Sequence, residues 1–254
     1  NPYIHVKKTL PVSSDNPDLR IMDFDIKFIN QDDFILNTVY SDSAVKVWYY
    51  EKKSNTFKLL LSMRYKTCCI FNTALVDFHE STFLVLAPTD GYLAIYNVTN
   101  IINSDGSNVE QTKLNPEITV RIHQSGIKCI DNYITEKGQW EIFTGGDDNG
   151  VGASVFEIDN DTKKLVLIKH KMIPDVVSST VTSCQVFNKG KKLLTTSVDQ
   201  IVRVWDISQD DDLLKLEDQK YTTIADTGSC DILPIDKDEN IVLLGGVGIS
   251  MWSL

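Results

Sequence analysis

Short apolar runs alternate with turn residues along the whole chain, and five of the runs end in a large aromatic. These are Val45-Lys46-Val47-Trp48, Leu93-Ala94-Ile95-Tyr96, Ala153-Ser154-Val155-Phe156, Ile201-Val202-Arg203-Val204-Trp205 and Ile249-Ser250-Met251-Trp252. Short runs rich in β-branched and aromatic residues, bounded by Asp, Asn, Gly and Ser, predict strands. Middle runs such as Phe83-Leu84-Val85-Leu86 and Ile241-Val242-Leu243-Leu244 do not alternate with polar residues. A strand covered on both faces reads this way. No long segment keeps a 3.6-residue period, so helix is expected only as a short turn.

The run-ending aromatics recur at intervals of 48, 60, 49 and 47 residues. Asp42, Asp90 and Asp199 stand six positions before Trp48, Tyr96 and Trp205. A period in the forties with a turn aspartate and a strand aromatic is the signature of β-propeller blades of the WD-repeat type. The expectation is an all-β chain of about five blade units, at 21–65, 68–124, 127–173, 180–222 and 230–254. The last is expected to hold three strands, 230–235, 241–244 and 249–254. A further strand, Tyr3–Val12, either closes a five-bladed ring as its outer strand or ends a preceding blade. WD-repeat rings usually have seven blades, so the expectation is the second, with this chain forming part of a larger ring. In blade three Asp148 stands eight residues before Phe156, so a bulge or widened turn is expected at Asn149-Gly150-Val151-Gly152. The polar stretch Asn100–Pro116 is expected to be a disordered loop.

Composition narrows the function classes. A net charge of −10 repels phosphate at long range and argues against a general nucleic-acid binder. No run of 18 apolar residues predicts a membrane-spanning helix. Five cysteines are an odd count for a disulfide framework, and reduced thiols suit a cytosolic or nuclear setting, of which the cytoplasm is the expectation. Four of them, Cys69, Cys129, Cys184 and Cys230, are expected in the first strand of a blade, as small apolar residues near the axis. No paired His or Cys spacing suggests a metal site. Gly145-Gly146 and Gly245-Gly246 lack the Lys-Ser/Thr of a phosphate loop, and no nucleophile elbow is present. The reading is therefore of a non-enzyme with no catalytic, cofactor or metal residues. Asp42, Asp90, Asp148 and Asp199 are expected to hold turns, and Trp48, Tyr96, Trp205 and Trp252 to fill blades. His123 is expected to bond the Asp147-Asp148 turn or Thr144. One rim carries these aspartates. The other carries lysines, among them Lys163, Lys164, Lys191 and Lys192, the candidate contacts for RNA phosphate.

At blade three the sequence becomes more specific. His123-Gln124-Ser125-Gly126-Ile127, and then Thr144-Gly145-Gly146-Asp147-Asp148-Asn149, resemble the end region of one WD-repeat family. Its members are the large multi-propeller subunits that partner a tRNA ribose 2′-O-methyltransferase acting at the anticodon wobble nucleotide. The stretch from Ser197 to Trp205 and the finish at Trp252 are similar to that family's carboxyl end. The resemblance implies a non-catalytic subunit that positions tRNA and the methyltransferase subunit relative to each other. It transfers no tRNA contact residue by residue. The alternative is a WD-repeat protein-interaction scaffold, in trafficking, ubiquitin or chromatin assemblies, with no RNA role.

Overall fold

Antiparallel hairpins dominate the chain because each apolar run meets the next across a tight turn. The computed structural model describes residues 19–104, 114–209, 211–236 and 239–254. The first sheet is β1 (Ile21–Phe28), β2 (Phe34–Tyr40), β3 (Ala44–Glu51) and β4 (Thr56–Arg64), in chain order. The second is β5 (Ile70–Phe78), β6 (Ser81–Pro88), β7 (Tyr92–Asn97) and β8 (Ile118–Arg121). The third is β9 (Ile127–Ile134), β10 (Trp140–Gly146), β11 (Val151–Ile158) and β12 (Leu165–Ile173). The fourth is β13 (Val181–Phe187), β14 (Lys192–Ser197), β15 (Ile201–Asp206) and β16 (Lys215–Tyr221). The last pairs β17 (Ala225–Pro234) with β18 (Asn240–Ser253). These four-stranded antiparallel meanders are WD-type propeller blades. The only helix among the described residues is α1 (Thr99–Ile102), one turn at the start of the long connection. The rest of the expected disordered loop, 105–113, and the strand expected at Tyr3–Val12 lie outside the described residues.

The core is not central. It lies in slabs between successive sheets: Val39, Val45 and Leu61 against Leu84 and Tyr96, then Phe83 and Ile95 against Trp140 and Phe156. Phe143 and Val151 meet Leu193 and Trp205 in a third slab, and Leu194 and Val202 meet Val242 and Leu244 in a fourth. Both faces of a middle strand are thus buried, which accounts for its unbroken apolar run.

First strands also dock on one another through carboxylates. Asp25 Oδ1 accepts from its neighbour Ile26 N at 2.8 Å, and its Oδ2 accepts from Leu75 N of β5 at 2.7 Å. Asp131 repeats this, with Oδ1 on Asn132 N at 2.8 Å and Oδ2 on Val186 N of β13 at 2.6 Å. Burial pushes the Asp131 carboxyl above the ordinary range, against the pull of both amides. Asp231 in β17 sits at the same point past the opening irregularity of its strand and holds Ile232 N at 2.9 Å. Ala74 and Gln185 fill this place in β5 and β13, so aspartate occupies alternate blades. The outer faces at the two ends of the stack remain uncovered by described residues: Phe28 is 69% exposed and Ile249 81%.

Two expectations need correction, on the turn at 149–152 and on Cys69. The three strands expected in the last unit correspond to β17 and the two arms of β18. Asn240 and Leu254 exchange both backbone bonds at 2.9 Å. A straight run of that length would hold its ends about 45 Å apart, so β18 doubles back, with Gly248 at φ 111°. The turn at Asn149–Gly152 is neither widened nor bulged. Asp148 lies three residues before Val151, as Asp42 lies before Val45, and the β10–β11 register is unbroken from Trp140↔Phe156 to Gly145↔Val151. β10 and β11 match β2 and β3 in length, and the aromatic instead stands two residues further from the turn, an even number that keeps it on its face. Cys69 lies one residue before β5, whereas Cys129, Cys184 and Cys230 lie in first strands.

Replacing Asp131 by Ala is expected to cost about 1–3 kcal/mol in chemical denaturation, because Val186 N loses its acceptor. Asp231→Ala in the same 254-residue chain should cost well under half as much. Equal losses would show that the blade-to-blade bond is not what Asp131 contributes.

Candidate functional site: two unlike rims

In an antiparallel meander, the turns between second and third strands share an edge with the links between blades. On that edge each turn aspartate acts as a clamp. Asp42, Asp90, Asp148 and Asp199 accept from the amide two residues on, at 3.1, 3.1, 3.2 and 2.9 Å. The residue after each aspartate is left-handed: Ser43, Gly91, Asn149 and Gln200. In three blades the second carboxylate oxygen reaches the incoming link. Asp90 Oδ2 meets Tyr65 Oη at 3.1 Å and Lys66 Nζ at 2.8 Å. Asp148 Oδ2 accepts from Gln124 N at 2.7 Å, and Asp199 Oδ2 from Ser178 N at 3.2 Å. In the first blade Asp42 pairs with Arg64 at 2.6 Å. Burial raises the Asp199 carboxyl, but the Arg203 guanidinium and two amides outweigh it and hold it below the usual range.

His123 lies in the link before β9 and is 1% exposed. Its Nδ1–H donates to Asp148 Oδ1 at 2.8 Å, and its neutral Nε2 accepts from the Thr144 hydroxyl at 2.8 Å. Asp148, not Asp147, therefore holds the turn. Asp147 instead bonds the Thr180 hydroxyl at 3.2 Å. A Cβ on Gly146 would come 2.3 Å from His123 Nδ1, so this glycine makes room for the ring. Burial lowers the His123 pKa against the pull of Asp148. Thr144 is fully buried, so this trio meets no substrate and acts as a strut.

The aromatics fill the slabs. Trp48 and Trp205 donate to Thr38 and Thr195 of the neighbouring strand at 3.4 and 2.9 Å. Tyr96 and Phe156 are buried. Trp252 is half-buried and bonds Ser250 of its own run at 2.8 Å. All five cysteines are free. Burial pushes the Cys230 thiol up to about 11, and Cys184 is raised by its hydrogen bond with Cys129 and by burial. These thiols stay protonated and unreactive. Among the described residues no cluster of His, Cys, Asp or Glu is arranged to hold a metal, and no helix is long and apolar enough to cross a membrane.

The opposite rim carries the lysines, which the structure divides. Lys163 and Lys164 are exposed on the β11–β12 turn, with Lys163 left-handed. Lys192 opens β14 and pairs with Glu217 at 2.5 Å. Lys191 is exposed and lines a cavity of about 540 Å³ together with Lys137, Lys169 and Lys189. Sequence reasoning missed the docking carboxylates Asp25 and Asp131 and the place of Lys169. Aspartate recurring four residues after the first residue of β1 and of β9 is the signal that finds the first two.

Residues 170–206 match a family description, the WD domain, G-beta repeat. The chain carries a WD repeat. The matched segment holds Asp199, its ion pair with Arg203 and the buried Trp205, the clamp and filler of the fourth blade. The chain is also similar to a regulator from Bos taurus, the tRNA (34-2′-O)-methyltransferase regulator WDR6, at 19% identity over 84% of this chain. It spans 21% of that relative's length.

His123→Asn is expected to lower stability by about 1–3 kcal/mol near pH 8. A histidine held neutral by the fold but free to ionise when unfolded contributes stability above about pH 6.5, lost as pH falls toward its depressed folded value. The gap between parental and variant chains should therefore shrink between pH 7.5 and 5.5 in denaturant melts. A gap independent of pH would show that His123 is not buried in its neutral form.

Proposed function

We propose that this WD-repeat chain is a non-catalytic, cytoplasmic part of a subunit that positions tRNA and a methyltransferase for 2′-O-methylation of the anticodon wobble nucleotide. The observation that carries the reading is the similarity to the tRNA (34-2′-O)-methyltransferase regulator, which runs across most of the chain rather than along one blade. The blade architecture supports it. Turn aspartates, His123 and the first-strand carboxylates are all spent on holding blades, and the exposed chemistry is that of a binding surface. The partners are the catalytic methyltransferase subunit and, through the complex, tRNA. With a net charge of −10 any tRNA contact is local, and the lysine rim offers Lys163, Lys164, Lys191 and Lys192 as candidates.

Affinity purification of the protein from cells tests this. A ribose methyltransferase and tRNA are expected to co-purify, with the tRNA released by high salt and the enzyme retained. Recovery of other protein partners, with neither the enzyme nor tRNA, would replace this reading by that of a protein-interaction scaffold without an RNA role.

A further inference from the structure

The cavity between the third and fourth sheets differs in charge from the rest of the molecule. Four lysines reach it from three segments: Lys137 from the β9–β10 turn, Lys169 from β12, and Lys189 and Lys191 from the β13–β14 turn. Two glutamates, Glu136 and Glu141, also line it, and Glu141 is buried. The lining is therefore cationic within a chain of net charge −10. Tyr133, Gln139, Ser208 and Gln209 add hydrogen-bonding groups. Its volume, about 540 Å³, is that of a small-ligand site.

The local backbone is shaped to hold this arrangement. Asn188, Lys189 and Gly190 are all left-handed, which turns the chain sharply between β13 and β14 and sets Lys189 and Lys191 on either side of Gly190. A Cβ on Gly190 would lie 2.1 Å from the Tyr133 ring, so the turn of one blade closes directly on the first strand of the blade before it. That contact fixes the Lys189–Lys191 turn against the third sheet and joins the lysines of both blades around one space.

We propose that this cavity takes a backbone phosphate of the tRNA, an inference that rests on the functional reading above. Lysine ammonium groups bind phosphate as point charges without a fixed fork geometry, so lysines from separate blades can serve one phosphodiester. An acidic surround repels the polyanion elsewhere and steers it to this cationic concavity. The site adds Lys137, Lys169 and Lys189 to Lys191.

The test uses the complex of the protein with its methyltransferase. Lys137→Ala, Lys189→Ala and Lys191→Ala are combined, and tRNA binding is measured across a salt series, with melting confirming that the variant folds. Binding at physiological salt is expected to weaken at least about tenfold, and the slope of log K against log salt to fall by about 1–2, since each phosphate contact contributes roughly 0.7–0.9. The Lys163→Ala, Lys164→Ala pair is expected to change the slope less. If the parental complex binds tRNA and the triple variant binds it with the same affinity and slope, the cavity assignment is overturned and the functional reading stands. A larger loss with the Lys163, Lys164 pair moves the phosphate to the outer turn and also overturns it. Loss of the methyltransferase, with tRNA binding retained, makes the cavity a protein contact and does the same. A parental complex with no tRNA affinity overturns the functional reading and this inference together.

Discussion

The hold of alternate first strands on the next, β1 on β5 and β9 on β13, is the constraint on which the rest of this molecule depends. A four-stranded meander has two apolar faces and cannot bury either alone. Stacking buries them, but apolar slabs are non-directional and leave the sheets free to slide. The carboxylates of Asp25 and Asp131 remove that freedom. Each grips one amide of its own strand and one amide of the next blade, 2.7 and 2.6 Å away, and so fixes the register between sheets. The turn aspartates do the same at the rim, where Asp90, Asp148 and Asp199 each bind the link that enters their own blade. Two rows of carboxylates, one along the first strands and one along the rim, lock the stack.

Much of this was legible in the sequence because it repeats. The Asp-to-aromatic spacing located three turns, and unbroken apolar runs marked strands covered on both faces. The spacing misled in blade three. Eight residues between Asp148 and Phe156 suggested an altered turn, whereas the ladder is unbroken and the aromatic stands two pairs further along it. A count along one strand cannot distinguish these, because the register depends on the partner strand. The docking carboxylates escaped notice for another reason. Asp25 and Asp131 sit in alternating strands, where an aspartate looks like a solvent-facing residue, and only the next blade reveals its amide partner. The cavity lysines are likewise scattered over three segments and meet only after the blades stack.

The two rims divide the labour between structure and recognition. The aspartate rim spends its carboxylates internally, so its charges are largely satisfied before any partner arrives. His123 shows this most clearly, with both ring nitrogens engaged and its ring enclosed by Gly146. The lysine rim keeps exposed ammonium groups on rigid strands and tight turns, a setting that fixes position at little entropic cost on binding. Such a surface suits a protein that orients a nucleic acid for another subunit's chemistry. Under the proposed function an acidic chain needs its cationic groups concentrated only where the RNA would lie.

The central claim is that the protein acts by positioning tRNA for a separate catalyst. The most direct measurement is the rate of 2′-O-methylation at the wobble nucleotide by the purified methyltransferase, with and without the protein, at saturating methyl donor. The account predicts that methylation at this nucleotide depends on the protein, and that the protein alone transfers no methyl group. Equal rates at the wobble nucleotide in its presence and absence would contradict it.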